Sequence, residues 1–388
     1  MMRQRLVSLS SADTPVGAPL ISEKQRAQSV DHDRNWEPIN MMRNKNSRSL
    51  QICFCVGTLA LLTGLAACNG SSANQSAASP TAATPAAPAS TTTAAQQPVS
   101  SACKNAPPQS FSGDCAFEQV AKQVAFGPRP PASDAIHKTQ DYIIGQLKNF
   151  GCAVDTHDFH ASTPIGSVPL KNIVAKIPGA SPNIIILATH YDTNRLGRDY
   201  KTVLPNFVGA DDAGSSTGVM LEMARILCGK PQPATIWIAF LDGEESFATW
   251  SDTDSVYGSR EMAASLANSG DLSRVKAFVL ADIVGGKNFH ARREDNSTLW
   301  LQDIVWNTAA RLGHADIFMS ERTGGMEDDH LPWKARKIPV VDIIDLDGGE
   351  VPYWHTPDDT LDKIDPRTLA ITGHVLVESL PEIEKRIK

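Results

Sequence analysis

Two adjacent glutamates, Glu244 and Glu245, directly follow an apolar run that has the composition of a buried strand. Neighbouring carboxylates repel each other, so the pair needs an explanation. Adjacent side chains diverge at a turn, and one carboxylate can therefore bind a cation while the other stays free to accept a proton. The pattern predicts a metal-dependent acid–base site in which one of the two glutamates is a ligand and the other a general base.

Acidic and imidazole residues also follow the other apolar runs. The candidates are His190, Asp212 at the start of a predicted helix, Asp282 and, in a late loop, His355. Gathering so many carboxylates at one place is unfavourable unless a cation neutralises them. Imidazole and carboxylate donors without paired thiolates suit zinc or a similar divalent ion.

The residues allow one zinc ion or two. A catalytic zinc takes about three protein ligands and keeps a position open, and the predicted ligands of the first ion are Asp212, Glu245 and His355. His190 and Asp282 could hold a second ion, with Asp212 shared. The alternative for His190 is a hydrogen-bonded imidazole without metal. Asp192, two residues further on, could orient its ring.

Strands and helices alternate around these residues. Continuous β-branched runs predict four strands that are covered on both faces, at 184–188, 236–241, 277–281 and 338–344. Capping residues and apolar stripes predict helices at 133–150, within 211–229 and from Asp365-Pro366 onward. This order predicts an α/β fold with a mostly parallel central sheet and helices on both faces. In such folds ligands bind at the carboxyl ends of the strands.

The segments THYDT, VGADDAGSSTG, FLDGEES and WHTPDD resemble motifs of the zinc aminopeptidase superfamily, which includes the animal-type glutaminyl-peptide cyclotransferases. The resemblance covers residues 115–385 and implies a zinc aminopeptidase-like (phosphorylase/hydrolase-like) fold. Peptide or protein N-termini are the implied substrates. Three details favour the cyclases: a tryptophan and DSVYGSR after the acid pair, the segment DDHLPW, and a tryptophan just before the ligand histidine.

The resemblance also assigns roles around the metal. In the cyclases it implies a single zinc held by the three predicted ligands, with Glu244 as the general base. It implies that Asp282 and Asp328 form a hydrogen-bonded acid pair with a catalytic role beside this zinc. Two-metal aminopeptidases instead use His190 and Asp282 for a second ion. Since this chain has both residues, the zinc count stays open.

The substrate pocket implied by the resemblance is walled by Trp250 and Trp354. Glu327 stands where animal cyclases carry glutamine, and its negative charge is expected to alter specificity if it touches the substrate.

Two enzymatic functions follow. The leading hypothesis is a zinc-dependent glutaminyl-peptide cyclotransferase, which converts an N-terminal glutamine into pyroglutamate and releases ammonia. The alternative is a zinc aminopeptidase with one or two ions, in which Glu244 would deprotonate a water molecule. A non-enzymatic metal-binding module would not need Glu244. The net charge of −7, without a basic stripe, disfavours nucleic acid as a partner.

The first quarter of the chain has a different composition. Basic residues at 43–48 precede a short apolar run that ends in Leu65-Ala66-Ala67-Cys68. The run is shorter than the about 20 residues of a spanning helix, and it predicts a bacterial lipoprotein signal peptide over 1–68, with Cys68 as the lipidated residue. A short membrane anchor is the alternative. The basic leader suggests translation from Met41 or Met42.

Residues 69–101, rich in serine, alanine, proline and threonine, predict a disordered tether before a zinc-dependent catalytic domain at 102–388. The protein is thus expected to be exported and to face the periplasm or the cell surface, held at the membrane only by its lipid. In that oxidising compartment Cys103 and Cys115 are expected to form a disulfide. Cys152 and Cys228 are expected to be buried free thiols. The oligomeric state stays open.

Overall fold

The structure is a computed structural model that describes residues 101–345 and 351–388. The leader, Cys68 and residues 69–100 of the tether lie outside the described residues. Among the residues it describes, no helix is long and apolar enough to cross a membrane.

Eight strands lie in the described part of the chain: β1 (Ala153–Thr163), β2 (Gly166–Ile177), β3 (Gly179–His190), β4 (Gln232–Leu241), β5 (Val275–Asp282), β6 (Ala291–Arg293), β7 (Phe318–Arg322) and β8 (Val340–Ile344). Six of them form the main sheet in the order β1-β2-β4-β3-β5-β8. The pairs β4-β3, β3-β5 and β5-β8 are parallel, whereas β1-β2 and β2-β4 are antiparallel. The predicted mostly parallel sheet is confirmed, and an antiparallel hairpin extends one edge.

The described residues form eight α-helices: α1 (Ser101–Asn105), α2 (Gly113–Val124), α3 (Asp134–Asn149), α4 (Gly214–Leu227), α5 (Tyr257–Ser269), α6 (Leu299–Arg311), α7 (Leu331–Lys334) and α8 (Pro366–Arg386). The predicted starts of α3 and α8 are confirmed by their caps. The Ser133 hydroxyl accepts a hydrogen bond from the Ile136 N–H, and the Asp365 carboxylate accepts one from the Arg367 N–H.

Helices cover both faces of the sheet, as the apolar runs predict. Along β3, Ile185 and Leu187 face the side on which α2, α3, α4, α6 and α8 pack. Ile184 and Ile186 face the opposite side, which α5 and α7 cover. Each such buried aliphatic side chain stabilises the fold by about 1.5–3 kcal/mol. The carboxyl ends of the central strands are therefore held on a rigid base.

Two disulfides join the described cysteines. Cys103 and Cys115 are bonded, as expected. The expectation of free thiols at Cys152 and Cys228 is wrong, because these two residues form the second bridge. Cys152 directly precedes β1 and Cys228 directly follows α4. Packing of α3 and α4 on the sheet brings the two Cα atoms to 5.1 Å, a distance that suits a disulfide.

Candidate active site

The site forms where three neighbouring parallel strands end. β3 ends at His190, β5 ends at Asp282, and β4 ends just before the glutamate pair. Asp212 lies in the turn before α4. His355 lies in the loop after β8, with a φ of 49° in the left-handed region that few non-glycine residues adopt.

Asp212, Glu245 and His355 meet as the sequence predicts. The His355 Nε2 atom lies 3.2 Å from Asp212 Oδ2 and 3.2 Å from Glu245 Oε1. All three side chains are buried, and their donor atoms lie within 4.8 Å of one another. Glu245 Oε1 makes no hydrogen bond to any described residue. One imidazole and two carboxylates around an unsatisfied buried oxygen fit a divalent cation of the zinc type.

The electrostatics of this trio agree with that fit. Burial raises the pKa of Glu245 to about 7, although His355 opposes the shift. Burial lowers the pKa of His355, but Glu245 and Asp212 outweigh it and raise the value to about 10. A metal ion would compete with protons at Glu245 and His355, because metal ligands must be deprotonated.

A second cluster shares Asp212. The His190 Nε2 atom lies 3.2 Å from Asp212 Oδ1 and 3.1 Å from Asp282 Oδ1, and the three donor atoms lie within 4.8 Å of one another. Each oxygen of Asp212 therefore faces a different histidine. His190 Nδ1 lies 3.4 Å from Asp192 Oδ1, where Asp192 can orient the ring. This geometry is compatible with either alternative at His190: a ligand of a second ion, or a hydrogen-bonded imidazole without metal.

Glu244 points away from Glu245. Its Oε2 atom lies 3.9 Å from His190 Nδ1, whereas Glu245 faces His355. Burial raises the pKa of Glu244 well above the usual carboxylate range, with His190 opposing and Glu245 reinforcing the shift. The predicted divergence of the two side chains is thus present.

Two further carboxylates fix the backbone of the turns that carry the predicted ligands. Asp192 accepts hydrogen bonds from the N–H groups of Glu244 and Glu245. Asp359 accepts from the N–H groups of Asp211 (2.8 Å) and Asp212 (3.1 Å). Sequence reasoning did not single out Asp359. Its position four residues after His355, in the WHTPDD segment, was the available signal.

Sequence reasoning also missed Asn194 and Arg198. The Asn194 side-chain amide donates to Glu245 Oε2 at 2.6 Å, so Oε1 is the oxygen that faces His355. Arg198 donates to the carbonyl oxygens of Val351, Pro352 and Trp354. It thereby holds the loop that carries His355.

A cavity of about 210 Å³ opens onto Glu244 and the Asp212–Glu245–His355 trio. Trp250 and Trp354 line it, as predicted, and the Trp354 ring stacks on the His355 ring with centroids 4.1 Å apart. The Trp250 indole N–H donates to Glu327 Oε2 at 3.0 Å, so Glu327 also lies at the cavity. The expected substrate-binding residues are therefore together.

Asp282 and Asp328 both line this cavity, as the resemblance implies. Asp282 Oδ1 lies beside His190. Asp328 Oδ1 accepts from the Asp329 N–H, while its Oδ2 has no hydrogen-bond partner among the residues described. Burial raises the pKa of Asp328 well above its usual range, and the charge of Asp282 adds to the shift.

Several known proteins are similar to this chain in sequence and fold. A mouse glutaminyl-peptide cyclotransferase-like protein is 30% identical over 281 residues, which cover 66% of this chain and 72% of the relative. The crystal structure of an Acidobacteriales bacterium glutaminyl cyclase is 38% identical, with a TM-score of 0.66, covering 72% of this chain and 97% of that one. A leucine aminopeptidase precursor from Bacteroides thetaiotaomicron is 28% identical, with a TM-score of 0.64, covering 71% and 98%.

Residues 172–380 match peptidase family M28. That segment spans more than half of the chain and contains the glutamate pair, both candidate metal clusters and both cavity tryptophans. On this match, and on the similarity to the mouse relative, the chain belongs to peptidase family M28.

Proposed function

We propose that this protein is a zinc-dependent glutaminyl-peptide cyclotransferase. The observation that carries the proposal is the small cavity in which Glu244 and the Asp212–Glu245–His355 trio face a space enclosed by two tryptophans. The M28 membership, the mouse relative and the Acidobacteriales cyclase support it.

The reaction joins two ends of one glutamine residue. The α-amino nitrogen forms a bond to the side-chain amide carbon, and the bond from that carbon to the amide nitrogen breaks to release ammonia. Zinc at Asp212, Glu245 and His355 would supply a Lewis acid for the amide oxygen. Glu244 accepts the proton lost by the attacking amine and delivers it to the departing nitrogen.

The cavity walls are suited to cyclisation. A glutamine side chain must fold back on its own amine, which costs conformational entropy. Trp250 and Trp354 both line this cavity of about 210 Å³, where their rings can hold the folded side chain in place. Holding the amine and the amide carbon close together removes much of that entropic barrier from the chemical step.

An aminopeptidase is the second candidate. The His190–Asp212–Asp282 cluster favours it, because these donor atoms could hold a second ion next to the first. In that reaction Glu244 would take a proton from a water molecule, which would then attack the first peptide bond.

Parallel assays of the purified, zinc-loaded protein on Gln-Ala and Leu-Ala test the proposal, with zinc quantified in the same batch. We expect ammonia and pyroglutamyl-alanine from Gln-Ala and no free leucine from Leu-Ala. Hydrolysis of Leu-Ala with two zinc ions per chain would support the aminopeptidase instead.

We also propose that the protein is an exported lipoprotein anchored through Cys68. The lipobox-like segment before Cys68 supports this, as do the disulfides Cys103–Cys115 and Cys152–Cys228, which belong in an oxidising compartment.

A further inference from the structure

A second cavity of about 310 Å³ adjoins the first. The two share Trp250, Glu327 and Asp328 in their linings. Because Trp250 donates its indole N–H to Glu327, these two side chains form a fixed ridge between the cavities. A peptide whose first residue occupies the first cavity has the second cavity directly beyond this ridge.

The lining of the second cavity includes both acidic and basic side chains. Glu327 and Asp328 lie at the edge shared with the first cavity. Arg260 and Arg336 line the second cavity together with Asp252, and both arginines also line a third surface depression that contains none of the metal-site residues. The lining also includes the apolar residues Leu331, Pro332 and Ala335.

The two arginines differ in how far they are engaged. Arg260 donates to the carbonyl oxygens of Asp252 (2.9 Å) and Thr253 (3.2 Å) and lies 4.5 Å from the Tyr257 ring centroid. It therefore supports the loop after the glutamate pair. Arg336 donates only from Nη1, to the Pro332 carbonyl oxygen at 2.9 Å, among the described residues. Its remaining guanidinium N–H groups can bind a ligand.

We propose that the second cavity binds the residue that follows the N-terminal glutamine, and that Arg336 selects a carboxylate there. The inference rests on the proposed cyclase function, because that function places the N-terminal residue in the first cavity. A guanidinium offers paired N–H donors that match a carboxylate. The carboxylate can come from an acidic side chain at the second position or from the C-terminus of a dipeptide, whereas a neutral second residue gains only the contact with the apolar lining residues.

Two pairs of substrates distinguish a side-chain carboxylate from a C-terminal carboxylate. Gln-Glu-amide and Gln-Gln-amide differ only in side-chain charge, and Gln-Ala and Gln-Ala-amide differ only in a terminal carboxylate. We expect a KM about twofold to fivefold lower for the charged member of at least one pair, the range of a solvent-exposed ion pair. The pair that shows the difference identifies the source. Equal KM values within both pairs would overturn the proposal.

Variants locate the effect. Arg336→Gln should remove the difference within the responsive pair, and Arg336→Lys should restore part of it. Lys337→Gln removes the same charge one residue away, at a side chain that does not line the cavity, and should keep the full difference. If Lys337→Gln reduces the difference as much as Arg336→Gln does, general electrostatic attraction explains it and the assignment to Arg336 is wrong.

Binding of a product peptide gives a readout that does not depend on turnover. Calorimetric titration of the zinc-loaded protein with the two pyroglutamyl products of the responsive substrate pair should show the same twofold to fivefold preference for the charged member, lost in Arg336→Gln. Equal affinities for these two products would contradict the subsite. Absence of cyclisation with all four glutaminyl peptides would instead count against the proposed function itself.

Discussion

The Asp192 carboxylate accepts hydrogen bonds from the backbone N–H groups of Glu244 and Glu245. Its Oδ1 atom accepts the Glu244 N–H at 3.2 Å, and its Oδ2 atom accepts the Glu245 N–H at 3.3 Å. A carboxylate that binds two consecutive N–H groups fixes both peptide planes. The two glutamate side chains consequently leave the turn in different directions, one toward His190 and the other toward His355. This arrangement explains how two adjacent acids can take different roles.

His190 decides between one metal ion and two. If the protein is a cyclase with a single zinc, His190→Ala should keep about one zinc per chain and much of its cyclase activity, because the Asp212–Glu245–His355 trio is untouched. Zinc content by atomic emission and initial rates with Gln-Ala provide the check. Two zinc ions in the wild type, together with loss of activity in His190→Ala, would favour the aminopeptidase.

The second disulfide is expected to contribute more stability than the first. Cys152 and Cys228 are 76 residues apart, whereas Cys103 and Cys115 are 12 apart. Closing a longer loop removes more entropy from the unfolded chain, and native disulfides contribute about 2–5 kcal/mol. Replacing Cys152 and Cys228 by serine should therefore lower the melting temperature more than replacing Cys103 and Cys115. An equal or smaller decrease would contradict this ranking.

His330 should make the fold sensitive to acid. Burial lowers the pKa of this fully buried imidazole to about 3, with Lys334 adding to the shift. In the unfolded chain the value returns to about 6.5. As the pH falls below about 6.5, the unfolded state takes up a proton that the folded state cannot bind, and stability is lost down to about pH 3.

Chemical denaturation at pH 7 and pH 5 measures this effect. The decrease in the free energy of unfolding should be smaller in His330→Gln than in the wild type by about 2 kcal/mol. His137 is exposed, so His137→Gln serves as the control and should behave as the wild type does. An unchanged decrease in His330→Gln would show that His330 does not titrate in this way.

Cys68 tests the proposed membrane anchor. Expressed from the full chain in a Gram-negative host, the protein should appear in the membrane fraction and begin at a lipid-modified Cys68. Cys68→Ser should remove the modification and release or mislocalise the protein. Mass spectrometry that finds an unmodified Cys68 in a soluble wild type would contradict the anchor.

Local sequence patterns predicted the strands and helices whose residues are neighbours along the chain. The buried runs of β3, β4, β5 and β8 are continuous and β-branched, so their type and position could be read directly. The hairpin of β1 and β2 was not predicted. β1 is largely exposed and polar, and it is stable because it pairs along its whole length with β2.

Contacts between distant parts of the chain were the ones missed. Asp359 binds the Asp211 N–H across 148 positions, and Arg198 binds the Trp354 carbonyl across 156. The Cys152–Cys228 bridge spans 76. No periodicity marks such pairs, because they depend on how the loops meet after the sheet has formed. The glutamate pair could be identified from the sequence, because two adjacent carboxylates after a buried strand repel each other unless a cation is bound.

The central claim is that Glu244 moves protons while Glu245 binds the metal, and matched variants test it directly. Glu244→Gln keeps the shape and every ligand, so zinc content and melting temperature should stay close to the wild type. Cyclisation of Gln-Ala should fall by about 10²–10⁴, or about 3–5 kcal/mol of barrier. Glu245→Gln should lose zinc affinity and, with it, the stability that bound metal provides.

Zinc stoichiometry and the rate of pyroglutamate formation, measured side by side on these two variants, are the decisive data. We expect full zinc with little turnover for Glu244→Gln, and little zinc with a lowered melting temperature for Glu245→Gln. A Glu244→Gln protein that turns over at the wild-type rate, or that loses zinc as readily as Glu245→Gln, would contradict the assignment.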